Sequence, residues 1–197
     1  MGIRWAVLIL VWGCFTVWYT SFSGPLSDAE VQTYLARAAA QGRDAGELAS
    51  LEQFMRADDG GHFVMVNVLD MAPVDAEENM GRYMAHMWPA LLSRACHPTF
   101  TGLSIANAMD LSGVTEAAGG AEVWDQAALM RYRSRRDLLE IAFDPAFVEP
   151  HVFKMRGLTK TIAFPVKPVL AYGDPRLLLG AALLIIGLLI DRVLARR

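Results

Sequence analysis

The sequence predicts the α+β class: a βαββαβ domain preceded by a helical pair and flanked at both ends by transmembrane helices. Three observations predict it. Two charge-free apolar runs, Trp5 to Thr20 and Leu177 to Ile190, lie near the ends of the 197-residue chain. Between them, short segments alternate with period two and are rich in β-branched and aromatic residues, as half-buried strands are. Interleaved with these are stretches whose apolar residues recur at i, i+3, i+4 and i+7, the stripe of an amphipathic helix. The net charge of −3 is too small to argue for nucleic acid, and no nucleic-acid partner is expected.

With Ile3 and Ser21-Phe22, the first apolar run approaches the roughly 20 residues that cross about 30 Å of hydrocarbon. Trp5, Trp18 and Tyr19 stand where an aromatic belt would meet the two interfaces. Residues 1–24 are read as an uncleaved anchor, against a signal peptide with Arg4 as its charged region and Ser21 to Gly24 as a poor cleavage site. A lipoprotein signal at Cys14 fits less well, because Trp12 is bulky and the apolar run continues past the cysteine. The second run has 14 uncharged residues, about 21 Å of helix. It reaches spanning length with Val193-Leu194-Ala195, if Asp191 and Arg192 snorkel or pair with a partner. Residues 169–197 are read as a C-terminal transmembrane helix and basic tail. Gly180 and Gly187, seven apart on one face, would let another helix approach, and with Trp12 and Asp191 they are the residues assigned to helix packing. Arg4 precedes the first helix and Arg192, Arg196 and Arg197 end the second, so the positive-inside rule puts both termini in the cytoplasm. The expected location is a bacterial inner membrane, with the central domain periplasmic. Cys14 and Cys96 then lie in different compartments of the fold, and Cys96 is expected as a buried free thiol.

Residues 25–60 read as a helical pair. Ser27-Asp-Ala-Glu30 has the form of a capping box before Val31, Tyr34, Leu35 and Ala38, and Asp44 with Glu47 repeats the start signal before Leu48, Leu51, Phe54 and Met55. Asp58-Asp-Gly-Gly61 is a turn. In residues 61–168 the predicted order is a strand from His62 to Asp70, a helix from Ala76 to Ala95, a strand from Thr99 to Met109, and a turn through Gly119-Gly120. A strand from Ala121 to Tyr132, a helix from Ser134 and a strand from Lys160 to Val166 complete it. This βαββαβ order is the ferredoxin-like motif, an antiparallel sheet covered on one face by two helices. Its other face must be polar or covered by a partner, and here it need not be polar.

The strand FVMVNVLDM, the run YMAHMWPALL, the block WDQAALMRYRSRRDLLEIAFDPAF and the end HVFKMRGLTKTIAFPV resemble the uncharacterised family DUF1330, over roughly His62 to Pro168. That family belongs to the dimeric α/β-barrel superfamily. The resemblance implies a homodimer through the sheet face, with a small molecule bound inside, and it assigns no activity. By that resemblance, Asn67, Trp124, Tyr132 and His151 contribute to a pocket between sheet and helices. The residues alone leave a satisfied core asparagine and a capping histidine as the alternative.

Two clusters attract attention for their chemistry. Arg131, Arg133, Arg135 and Arg136 surround the N-cap Ser134, and Arg133 and Arg135 with the free N–H groups of the helix could bind an anion. The alternative is a solvated helix start pairing with Asp137, Glu140 or Asp144. Met80, Met84 and Met87 with His86 could hold Cu(I), but a methionine stripe at helical spacing is more often core, and no metal is assigned. His86, His97 and His151 are the available bases and Ser104 and Ser134 the available nucleophiles. No GxSxG, HExxH, CxxC, Walker or Rossmann pattern occurs, so no catalytic residue and no cofactor is assigned. The expected function is a non-catalytic accessory or assembly subunit, whose helices dock with other membrane protein subunits in the lipid bilayer. A small-molecule-binding protein or an enzyme of the monooxygenase or isomerase type is the alternative.

Overall fold

The computed structural model describes residues 2–112, 123–170 and 173–196, apart from the side chains of residues 148 and 149. The order is α1 (Ile3–Tyr19), α2 (Asp28–Ala40), α3 (Ala45–Arg56), β1 (Phe63–Met71), α4 (Ala76–Ser93), β2 (His97–Leu103) and β3 (Gln126–Tyr132). There follow α5 (Arg135–Ala142), a 3-10 turn at Pro145–Phe147, α6 (Val148–Arg156), β4 (Leu158–Val166) and α7 (Pro175–Leu194). The four strands form one sheet in the order β2-β3-β1-β4, and every neighbouring pair is antiparallel, which is the ferredoxin-like arrangement.

Register sorts the side chains of the sheet into two faces. Opposite Tyr132, Met130, Ala128 and Gln126 of β3 stand Phe63, Met65, Asn67 and Leu69 of β1, and this face packs on the helices. Phe63 stacks on Tyr132 at 5.3 Å, and Tyr83, Met87 and Leu91, four residues apart along α4, close over them. The other face carries Val64, Val66 and Val68 beside Leu129 and Ala127 on one side and Val166, Phe164 and Ile162 on the other.

A second core joins the helical pair to α5 through Val31, Ala38, Met55, Leu139 and Phe143. Both α2 and α3 begin with reciprocal capping boxes, Ser27 with Glu30 and Asp44 with Glu47, so each start is specified locally. Glu30 also receives Arg136 at 2.8 Å, and this hydrogen bond, with those from Ser27, holds its carboxyl down to about 2.

The terminal helices run antiparallel against each other. Trp12 lies over Gly180, where an added Cβ would come 2.9 Å from its indole nitrogen, and Trp5 lies over Gly187, where the clearance would be 2.6 Å. The Trp12 indole donates to the Arg176 carbonyl at 2.8 Å, and Trp5 donates to the Asp191 carboxylate at 2.9 Å, which also pairs with Arg4 at 2.7 Å. Among the described residues, α7, with 20 residues, is the helix long and apolar enough to cross a membrane, and α1 is shorter at 17.

Several predicted boundaries move. The second strand starts earlier, at His97, and stops at Leu103 because Ser104 turns to bond the Ala106 carbonyl. Pro98 is accommodated on an edge strand beside a register shift, where no ladder N–H is needed. The third strand begins at Gln126, and the predicted turn at Gly119-Gly120 and start at Ala121 lie outside the described residues. Helix α6 lacks any counterpart in the prediction.

Candidate functional site

Between the helix-facing side of the sheet and helices α4 and α6 lies a cavity of about 270 Å³. Strand β1 contributes Asn67 and Leu69, strand β3 contributes Ala128, Met130 and Tyr132, and α4 contributes Met80, Tyr83, Met84 and Met87. Lys154, in the last turn of α6, closes it, with Gln126 and Thr101 also on the wall. The fold brings α6 here because Gly157 ends it without a side chain: a Cβ there would stand 3.0 Å from Met80 and 3.3 Å from the Ala76 carbonyl.

The polar groups of this wall are few and not satisfied by one another. Asn67 donates from Nδ2 to the carbonyls of Met65 at 3.1 Å and Ala128 at 3.4 Å, which identifies that end as nitrogen and leaves Oδ1 free to accept. Neither the Tyr83 nor the Tyr132 hydroxyl has a hydrogen-bond partner among the described residues. Burial pushes the Tyr83 hydroxyl up to about 12 and raises Tyr132 further still, so both remain protonated donors. The Lys154 amine lies 5.9 Å from the centre of the Tyr83 ring, pairs with no carboxylate among the described residues, and is pushed down from its ordinary pKa by burial. Apolar walls with a small number of convergent polar groups are the usual make-up of a ligand site.

Of the four residues expected in a pocket, Asn67 and Tyr132 line this cavity and the other two do not. Trp124 precedes the start of β3, so the alternation of the strand does not extend to it; its ring packs under the Lys160 ammonium at 4.6 Å. His151 is exposed beside Phe147, with ring centres 5.6 Å apart, because α6 turns that side outward while presenting Lys154 inward. Lys154, Tyr83, Gln126 and Thr101 are the wall residues that sequence reasoning missed. A helix start with Pro150 in its first turn was the available signal, since proline is tolerated there.

The arginines do not assemble an anion site. Arg133 is held by Asp137 at 2.6 Å and donates to the Trp18 carbonyl at 3.2 Å, while Arg135 donates to the Phe54 carbonyl, lies over the Phe54 ring and faces Asp58 at 3.8 Å. Their guanidinium groups are spent on different internal acceptors, so they do not converge on a common point. Nor is this a solvated helix start. Arg131 is 5% exposed, donates to the carbonyls of Tyr19 at 3.0 Å and Ala95 at 2.8 Å, and lies 3.8 Å from the centre of the Tyr19 ring. Arg136 grips Glu30 and the carbonyls of Gly24 and Pro25. The four side chains clamp α1 and the helical pair onto the sheet.

The methionine set divides in the same way. Met80, Met84 and Met87 face the cavity, whereas His86 lies on another side of α4 beside Arg94 and Asp144, so the imidazole does not join the three thioethers. Cys96 is fully buried, with its thiol pushed up to about 11 mainly by burial, and the neighbouring His97 turns away to Tyr19, 2.8 Å from its hydroxyl. A larger open groove of about 930 Å³ runs between α3 and α5, but its charged residues are used internally, in the Asp44–Glu47 capping box, in the Arg135 contacts, and in Arg43 over Phe143.

No family model matches this chain, and no curated protein matches it either. Among solved structures, it is similar to RPA0582, a protein of unknown function from Rhodopseudomonas palustris. The identity is 19% and the TM-score 0.50, over 66% of this chain and 97% of that one. The methylated form of RPA0582 gives 20% identity and a TM-score of 0.51, over 67% and 96%. At such identity the likeness bears on fold and not on activity. A dimeric ferredoxin-like protein of unknown function from Jannaschia sp. CCS1 is 10% identical over 55% of this chain and all of that one, with a TM-score of 0.38, too low to argue from.

Proposed function

We propose that this chain is a membrane-anchored domain that binds a small, mostly apolar molecule between its sheet and α4. The observation that carries this reading is the cavity itself: methionines and aromatic rings form its wall, and the Asn67 amide oxygen, the Tyr83 and Tyr132 hydroxyls and the Lys154 amine have no hydrogen-bond or ionic partner among the described residues. The DUF1330 resemblance of residues 62–168 agrees with a pocket in this place. For the anchor, support comes from the antiparallel pairing of α1 with α7, which sets Arg4, Arg192 and Arg196 at one end, as cytoplasmic termini require. The domain is then periplasmic at a bacterial inner membrane.

The accessory-subunit reading drew its support from the two anchors, the Gly180 and Gly187 face, Asp191 and the missing catalytic set, and the glycine face is the ground on which the structure bears. Trp12 and Trp5 of the same chain fill that face, which removes this one ground and makes the cavity the better-supported reading. Saturable binding of the neutral probe 4-fluorophenylacetamide to the full chain in lipid nanodiscs, followed by 19F NMR, tests the cavity reading. Binding is expected in the wild type and lost in Ala128→Leu, which fills the floor of the cavity; binding that is absent, or indifferent to the substitution, would sink it.

The uncovered sheet face favours a homodimer as a second reading. Phe100, Ile162 and Phe164 are 53%, 49% and 46% exposed on it, a contiguous apolar surface of the kind that marks association. Native mass measurement from nanodiscs is expected to give two copies, and Phe164→Glu one; a wild-type monomer contradicts the reading.

A further inference from the structure

Resting on the cavity reading above, we propose that the ligand is a small carboxylate, whose charged end meets the Lys154 ammonium and whose apolar part lies along Met84, Met87 and Ala128. Other cations in this domain have found partners: Lys167 pairs with Asp59, Arg82 with Glu78, and Arg136 with Glu30. Lys154 is on the wall of an apolar cavity and, among the described residues, its one charge-stabilising neighbour is the face of the Tyr83 ring at 5.9 Å. A cation withdrawn from water without a counter-charge is costly, and an anion entering the same space removes that cost.

The remaining wall groups say which anion and which way round. Tyr83 and Tyr132 offer hydroxyl donors from the sheet and α4, suited to the second oxygen of a carboxylate. Asn67 presents a free carbonyl oxygen, which repels an anion, so the charged end lies toward Lys154 on α6 and away from Asn67. A phosphate or sulfate would call for several cations or a row of backbone N–H donors, and the cavity has one amine. At about 270 Å³ it has room for a single ring or a short chain, since a cavity of about 150 Å³ already holds benzene.

The test compares 4-fluorophenylacetate with its neutral amide, on the full chain in nanodiscs by 19F NMR. The acid is expected to bind about tenfold tighter than the amide, as a charge-assisted pair away from bulk water provides. Lys154→Met is expected to abolish the preference, bringing the acid to the level of the amide or below. Equal binding of acid and amide by the wild type, or an acid preference that survives in Lys154→Met, overturns the proposal and leaves the cavity reading standing. Should neither probe bind the wild type, both fall. The wild-type ratio decides alone if the variant misfolds.

Discussion

Replacing Arg131 by methionine is expected to lower the unfolding free energy by about 3 kcal/mol, the loss of two charge-assisted hydrogen bonds and a desolvated cation–π contact. The side chain is 5% exposed and joins three parts of the fold at once: its own strand β3, the carbonyl that ends α1 at Tyr19, and the carbonyl of Ala95. Ala95 has φ 54°, a left-handed conformation that lets α4 end and β2 begin, and Arg131 caps the carbonyl so exposed. Methionine keeps the length and apolar bulk but leaves both carbonyls without their donor. Tyr19 then loses the nearer of its two cations, with Arg176 still 5.7 Å from the ring centre, and the end of α1 is left to the Tyr19–His97 contact and the Arg133 bond to the Trp18 carbonyl. Denaturant unfolding of the full chain in nanodiscs, with limited proteolysis of residues 20–26, reads both consequences. Arg82→Met, at an exposed pair one helical turn from Glu78, is the control and is expected to change stability by less than about 0.5 kcal/mol. An Arg131→Met protein as stable as the wild type, with the linker still protected, would show that the clamp carries nothing.

Gly187→Leu is expected to cost about 2 kcal/mol by overpacking, because α1 approaches α7 where that glycine faces Trp5. Even a Cβ would meet the ring at 2.6 Å, and the ring cannot retreat freely while its indole nitrogen is bonded to Asp191 at 2.9 Å. Separation of the helices would also strain the Arg4–Asp191 pair at the same end. Gly13→Leu is the matched control: nothing lies within 4 Å of a Cβ there, so the same gain in bulk should leave stability unchanged within about 0.5 kcal/mol. Unfolding midpoints in a sodium dodecyl sulfate titration compare the two. Equal midpoints for Gly187→Leu and Gly13→Leu would mean that the close approach contributes nothing to helix pairing.

Legibility differed sharply between the parts of this molecule. The capping boxes at Ser27 and Asp44 and the apolar stripes behind them lie within a few residues of one another, so they are readable without a fold. Alternation in FVMVNVLDM likewise placed Asn67 on the face of Phe63 and Leu69, and the same face carries the cavity. Alternation failed at Trp124, because a strand's parity holds only while the strand lasts. Lys154 escaped notice for another reason: Pro145 and Pro150 break up the pattern around it, and a lysine among polar neighbours looks like surface until α6 folds back on α4.

By itself, then, the sequence determined the order of elements other than α6, the capped helix starts, the two apolar terminal segments and the sidedness of the strands. Each of these rests on spacing within one element. Tertiary structure alone decided the fate of the arginines, the pairing of tryptophans with glycines across α1 and α7, and the union of Lys154 with Tyr83 and Asn67. Those contacts join residues as far apart as Trp5 and Asp191, separated by 186 positions, or Arg131 and Tyr19, separated by 112. Arginine in a row has no preferred partner until docking fixes which carbonyl or carboxylate its guanidinium can reach, and an amine becomes a recognition group only when burial removes its water.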